Sequence, residues 1–378
     1  MTIVVSDIKL LDVSDGCQLQ ARIQSAAFAD PFLLWYRFPS VLKRYLNVQN
    51  GNPFLAALLV VAMQTGEALE VAAPVSASLL KGANKIQELL RSWNGKLSQV
   101  EVRAPTQIVE PEQNRGNKGV GLFFSMGADS FYSLLKKMTH AEGIEGITQL
   151  IVIHGFDIYY GKWNTKMYAE VLKTANQVAS KLNVGIIPVA TNIRDLSDPI
   201  VDWGSLYFGS ALASIGLALD NMLDAVYISG GLTYDLLTPW GSHPALDPLW
   251  STESLKFIHD GCEANRIEKI RFISKFPIAL NALRVCFMNP DDMYNCGQCE
   301  KCLRTMIALH IVGALTRCPT FPHKIDVRLL RKLPKLSAVS TPTEQSIRRA
   351  SLRSYIEALG TSPEDLAIKT ALQELMSS

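Results

Sequence analysis

The chain is predicted to be an α/β protein built on a doubly wound parallel sheet, with an N-terminal α+β unit before it and a four-cysteine knuckle and helical tail behind. Three observations predict this. From Gly119 onward, short apolar runs alternate with amphipathic stretches of helix length, the pattern of strands covered on both faces by crossover helices. Four cysteines crowd between Cys286 and Cys302, at spacings that suit a metal rather than a disulfide framework. The 378 residues, 48% of them hydrophobic, exceed the roughly 250–300 at which a single core stops growing.

Taken in order, residues 1–115 mix strand-like pieces (Ile3–Val5, Leu69–Ala73, Gln99–Arg103) with helical stretches around 53–64 and 84–95. This reads as a separate α+β domain. Its longest apolar run, Leu55–Met63, is far short of the roughly 20 residues that cross a bilayer, so it reads as a buried helix. The start MTIVVSDIKLLD lacks the cationic and apolar blocks of a secretory signal, and a cytoplasmic location is expected. Ala104–Lys118, with two prolines among polar residues, reads as a linker. Then come a strand at Gly119–Phe124, a helix over Asp129–Thr139, a strand at Thr148–His154, a helix over about 163–182, and a strand at Val184–Ala190. A helix over about 205–219 and a strand at Ala225–Ser229 complete the pattern. Such a sheet binds ligands outside the C-terminal ends of its strands, so chemistry is expected just after residues 124, 154, 190 and 229. A net charge of +2 excludes a whole-protein field for nucleic acid or membrane.

After the first of these strands comes Ser125-Met-Gly-Ala-Asp-Ser130, then a helix. Strand, tight turn and helix N-terminus direct unpaired N–H groups at one point, aided by the helix dipole, and that point suits phosphate. Ser125 and Ser130 add hydroxyls; Asp129 can hold a Mg²⁺ ion. The competing reading is an ordinary βα turn capped by Ser125 or Asp129. The pattern is neither GxxxxGK[ST] nor GxGxxG. Cys286, Cys296, Cys299 and Cys302 follow the spacing C-x9-C-x2-C-x2-C, which fits a closed tetrahedral zinc site of structural type. An iron–sulfur cluster, a redox pair and unligated buried thiols are the alternatives. Cys17, Cys262 and Cys318 read as free thiols, with Cys262 near the expected site region.

The loop resembles the PP-loop, SGGxDS, of the ATP pyrophosphatase superfamily, with Met126 standing where that motif has its first glycine. Loop and cysteine cluster together resemble the 7-cyano-7-deazaguanine synthase family over roughly residues 119–318. The helix Arg266–Lys275 is similar to that family's K(T/A)EI helix, and Cys302-Leu-Arg304 to the end of its cluster. Gly230–Asp235 through Trp240–Asp247 occupies the place of its substrate loop, where Asp235 corresponds to the first Asp but SGYPDC is absent, marking a divergent, extended branch.

The resemblance implies an ATP-dependent ligase-like reaction. A carboxylate or amide oxygen of a small heterocycle attacks the α-phosphorus of ATP, pyrophosphate leaves on residues 125–130, and ammonia or another nucleophile displaces AMP. It also implies that Met126, Gly127, Ala128, His154 and Gly155 contact the nucleotide, and that Met126 either points away from the pyrophosphate or reshapes the loop; Gly230, at the end of a later strand, reads as a further backbone contact to the nucleotide or as a plain turn. Trp240, His243, Asp247, Trp250, Glu253 and His259 give the 240–259 segment an aromatic and polar density suited to a planar heterocycle; Asp235, Trp240, His243 and Asp247 are the substrate candidates. Lys162, Arg194 and Lys256 are further charge candidates. Two alternatives compete. An RNA or nucleobase thiolase, with a sulfur donor, would use Lys324, Arg328, Arg331, Lys332, Lys335, Arg348, Arg349 and Arg353, a local basic run. In a non-catalytic nucleotide-binding regulator, Met126 would block turnover and the four-cysteine knuckle or the N-terminal domain would serve as a docking surface. A homodimer is compatible with the chain.

Overall fold

The structure, a computed structural model, describes residues 1–106, 118–139, 146–161, 165–338 and 342–377. Most of the expected linker, and Lys162, lie outside the described residues. The strands are β1 (Thr2–Val13), β2 (Gly16–Gln24), β3 (Phe32–Phe38), β4 (Ala68–Val71), β5 (Val102–Arg103), β6 (Gly119–Phe123), β7 (Gln149–His154), β8 (Gly185–Thr191), β9 (Leu223–Ser229) and β10 (Lys256–Asp260). The first six helices are α1 (Asn52–Thr65), α2 (Ala77–Trp93), α3 (Ala128–Thr139), α4 (Thr165–Leu182), α5 (Ile193–Ser197) and α6 (Phe208–Ala218). They are followed by α7 (Arg266–Ile273), α8 (Pro277–Leu280), α9 (Glu300–Ile311), α10 (Val327–Arg331), α11 (Pro342–Ala358) and α12 (Pro363–Met376).

Among the described residues the strands join one sheet in the order β10-β9-β6-β7-β8-β3-β2-β1-β4-β5. From β10 to β8 every neighbouring pair is parallel. Counted from β6, the chain runs outward through β7 and β8, then returns to the other side of β6 with β9 and β10. That reversal between β6 and β9 is a topological switch point, where the two following loops part and leave a crevice.

The N-terminal residues extend this sheet. β3 pairs antiparallel with β8, Tyr36 opposite Thr191 and Arg37 opposite Ala190. The β1, β2 and β3 meander continues it, and β4 and β5 add parallel strands on the far side. β2 shows why: Cys17, Leu19, Ala21 and Ile23 alternate into the core, so one face is apolar by period two. α1 is apolar all round and buried from Asn52 to Met63. It is a core helix, packed against α6, and Gly66 in the left-handed conformation (φ 73°) ends it by a conformation that costs glycine little.

Two apolar clusters cover the two faces of the sheet. Phe123, Ile151, Val226 and Ile228 face α1 and α6 in one; Leu122, Phe124, Leu150 and Val152 face α3, α4, α7 and α9 in the other. The tail joins the second cluster through Leu330, Leu352, Tyr355 and Leu372. No helix among the described residues is long and apolar enough to cross a membrane.

Candidate functional site

Residues 125–130 sit at the switch point, between the end of β6 and the start of α3. Gly127 N–H donates to Ser125 Oγ at 3.3 Å, and the Ser130 hydroxyl donates to the Gly127 carbonyl at 3.1 Å. The two hydroxyl oxygens stand 3.5 Å apart, so the turn is closed by its own serines. Ser125 is exposed, Gly127 partly so, and Ala128 opens the helix with its side chain buried. Met126 adopts φ 60°, the left-handed region that favours glycine. Its side chain is fully buried in the second apolar cluster, near the Tyr294 hydroxyl. The Met126 carbonyl accepts from Arg284 N–H at 3.0 Å. The backbone thus keeps the glycine-like turn while the side chain turns inward, away from the exposed Ser125.

Asp129 is the electrostatic centre. Arg266 donates to one of its oxygens at 2.9 Å and Lys269 to the other at 3.1 Å. The Lys269 side chain is 1% exposed, and its ammonium also donates to the Gly230 carbonyl at 2.6 Å, tying the loops after β6 and β9 to one helix. Burial pushes the Asp129 carboxyl up, but Arg266 and Lys269, with Arg304 beyond them, outweigh it and hold the group below the usual carboxylate range. Both oxygens are therefore engaged by cations, and the arrangement does not offer Asp129 as a free Mg²⁺ ligand. Asn265 organises the cations: its side chain caps α7, and Glu268 returns a bond to the Asn265 N–H, a capping box that fixes where Arg266 and Lys269 begin.

Beside this centre lies a cleft of about 1030 Å³, at the upper end of the roughly 300–1,000 Å³ of ligand pockets. The loop 229–244 forms one wall, the start of α7 and α9 another, and α11 a third, through residues such as Ile347, Arg348, Ser351 and Tyr355. Gly230, Asp235, Trp240 and His243 line it, so three of the four expected substrate residues come together there. Asp247 does not. It is fully buried and accepts from Ser242 Oγ (2.8 Å), His243 N–H (3.2 Å) and His259 Nδ1 (2.7 Å); a buried carboxylate needs such partners, and these organise the loop.

Other expected residues take structural positions. His154 is buried, stacked 4.1 Å from the Tyr168 ring, with Nε2 3.1 Å from the Tyr159 carbonyl oxygen; burial pushes its pKa down. Gly155, at φ 116°, packs so closely on Thr191 that a β-carbon would meet its carbonyl. Trp250 is fully buried, and Glu253 accepts from Ser76 Oγ and Ser78 N–H at the start of α2. Arg194 lies over the Tyr159 and Trp203 rings and pairs with Asp198; Lys256 is exposed. The basic run is dispersed: Arg328 pairs with Asp326, Arg331 with Glu374 and Arg348 with Glu300, while Arg348 and Arg353 line the cleft.

The sulfur atoms of Cys286, Cys296, Cys299 and Cys302 all lie within 4.8 Å of one another. Three of the four side chains are buried. Neighbouring thiols of Cys299 and Cys302 hold Cys286 well below the usual thiol range. Four convergent sulfurs fit a tetrahedral ion such as zinc. The knuckle also reaches the loop after β6. Arg284, two residues before Cys286, donates its N–H to Met126, and the Tyr294 hydroxyl donates to the Ala282 carbonyl at 2.8 Å.

Comparison of the chain with protein-family models, with curated proteins and with solved structures finds no match in any of the three. Reasoning from the sequence placed His259 in the pocket segment but missed Lys269, and it missed α11 as a wall of the cleft. The capping box Asn265–Glu268 is the signal that could have placed Lys269; nothing local marks α11 as a cleft wall.

Proposed function

We propose that this protein is a divergent PP-loop enzyme of HUP-type fold, related to 7-cyano-7-deazaguanine synthases, that uses ATP to adenylate a carboxylate or amide oxygen of a small, flat substrate. The observation that carries the reading is the convergence at the switch point: a helix N-terminus with two serine hydroxyls beside Arg266, Lys269 and Arg304. Such a site favours a multiply charged leaving group.

In this reading the first turn of α3 and the Ser125 and Ser130 hydroxyls bind the pyrophosphate oxygens. Arg266, released from Asp129 by the incoming phosphates, meets the charge that grows as the α-phosphorus–oxygen bond breaks. Lys269 stays on Asp129 and Gly230 and keeps the two loops in register. No step is assigned to Mg²⁺ on Asp129, whose oxygens are taken. The acceptor lies in the cleft against Trp240, with Asp235 and His243 for its polar edge, and an amine then displaces AMP. Zinc, held by the four cysteines, would supply structure only, fixing the segment that holds Met126.

The test is pyrophosphate release from ATP across a panel of carboxylated heterocycles. Substrate-dependent release is expected, and Ser130→Ala or Arg266→Ala should lower it by about 10²–10³, the scale of a lost transition-state donor. ATP that binds without turnover on any acid, or turnover unchanged in both variants, rejects the reading.

A further inference from the structure

The cleft holds a second chemical group, set apart from Asp129. Cys262 and His259 both line it, and they meet over Gly230. A β-carbon built on Gly230 would fall 2.3 Å from His259 Nε2 and 3.2 Å from Cys262 Sγ, so glycine is required for imidazole and thiol to share that face of the backbone. On its other side the imidazole is fixed: His259 Nδ1 lies 2.7 Å from Asp247 Oδ2. Asp247, fully buried, already accepts from Ser242 and from the His243 N–H. An acceptor-only carboxylate assigns a proton to His259 Nδ1, so that in the neutral imidazole Nε2 is the nitrogen that can take one. Cys17 and Cys318, the other cysteines outside the knuckle, donate to main-chain carbonyls. Cys262 Sγ makes no hydrogen bond among the described residues, to His259 or to any other group, and burial pushes its thiol up. It is a protonated sulfur, 2% exposed at the cleft wall, with a base beside it.

We propose that Cys262 is a covalent nucleophile, with His259 as its base and Asp247 as the residue that orients the imidazole. The acyl donor rests on the adenylating reading above. Cys262 Sγ attacks the carbonyl carbon of the acyl adenylate; the S–C bond forms, the C–O bond to AMP breaks, AMP leaves as a phosphate anion, and the thiol proton passes to His259 Nε2. An amine then attacks the thioester carbon, the C–S bond breaks, and His259 returns its proton to sulfur while the amine's surplus proton goes to solvent. Nucleophile, base and orienting carboxylate are the general requirements of such a step, and the nucleophile–base contact is commonly loose before substrate enters.

The experiment uses the full chain with its metal bound. Limiting iodoacetamide followed by peptide mass spectrometry should modify Cys262 at least about tenfold faster than Cys17 and Cys318, an advantage that His259→Gln abolishes. Acid-quenched single turnovers with ATP and the acid panel should then show the acyl mass on the peptide carrying Cys262. Alkylation no faster than at Cys17 and Cys318, or unmoved by His259→Gln, overturns the proposal without needing any activity. Product formation at the wild-type rate by Cys262→Ser also overturns it and leaves the adenylation standing. His259-dependent alkylation in a protein that releases no pyrophosphate with any acid supports the reactive pair, and it is then the adenylation that fails.

Discussion

The two halves of the sheet bury polar groups in different ways. In the half built by β1–β5, most buried polar residues are neutral, and the buried carboxylate of Glu67 accepts from Ser25 Oγ and the Ala26 N–H, away from the cleft. Ser76 caps α2, Asn52 accepts the Ser76 N–H, and Gln87 accepts from Val100. In the half built by β6–β10, buried charges link the ends of separate elements: Lys269 joins α7 to the loops after β6 and β9, and Asp247 joins the 240s loop to β10. Capping stabilises a helix wherever it lies. Charges buried at strand ends cost far more to desolvate, and where they converge beside a cleft they point to a site. The first half extends the sheet, and the second gathers the buried charges beside the cleft.

The largest effect expected to separate the halves is metal removal. Elemental analysis should find about one zinc per chain, and structural zinc contributes on the order of 10 kcal/mol in small zinc domains. Chelation, or Cys302→Ser, should therefore abolish amide-exchange protection around 284–302 and release the Met126 turn while β1–β3 keep theirs. Equal loss in both halves would break the comparison. Next is Lys269→Met, which keeps the volume but leaves Asp129 with Arg266 alone. Breaking a buried pair costs about 3–5 kcal/mol, and Asp129 is partly exposed, so about 3 kcal/mol is expected in urea unfolding. A loss under 1 kcal/mol would mean that water already serves Asp129.

The smallest effect lies at the seam between the halves. Asn50 donates to Asp220 at 3.1 Å, and burial pushes the Asp220 carboxyl up to about 6 from 3.8. The folded protein therefore keeps a proton that the unfolded chain loses near pH 4. The associated stability is complete below that pH, falls as pH rises to about 6, and stays lost above it, by up to about 3 kcal/mol. Asp220→Asn should raise the melting temperature at pH 7 and leave it unchanged at pH 3.5. A gain that is the same at both values would assign the effect to packing.

Much of the second half is readable locally. The runs at 119–124, 148–154 and 184–190 are strands because continuous apolar residues bury both faces, and the position of Ser125, Asp129 and Ser130 follows from the strand before and the helix after. β2 is equally legible in the alternation of Cys17, Leu19, Ala21 and Ile23. What no local pattern holds is pairing. Nothing in Phe32–Phe38 names β8 as its neighbour, and residues expected to form a unit of their own continue the sheet. Asp247 shows the same limit at the site: a carboxylate among prolines and tryptophans reads as a ligand group, and only the converging Ser242, His243 and His259 make it an anchor.

The antiparallel joint between β3 and β8 also sets a schedule for synthesis. Thr191 donates its hydroxyl to the Trp35 carbonyl, 156 residues away in sequence. At about 5–20 residues per second on the ribosome, β3 waits on the order of ten seconds for that partner. During that interval it presents an unpaired strand edge, the kind of surface that invites wrong pairing between nascent chains. Slowed translation between residues 40 and 190 should therefore lower the yield of native protein without changing the stability of the molecules that fold.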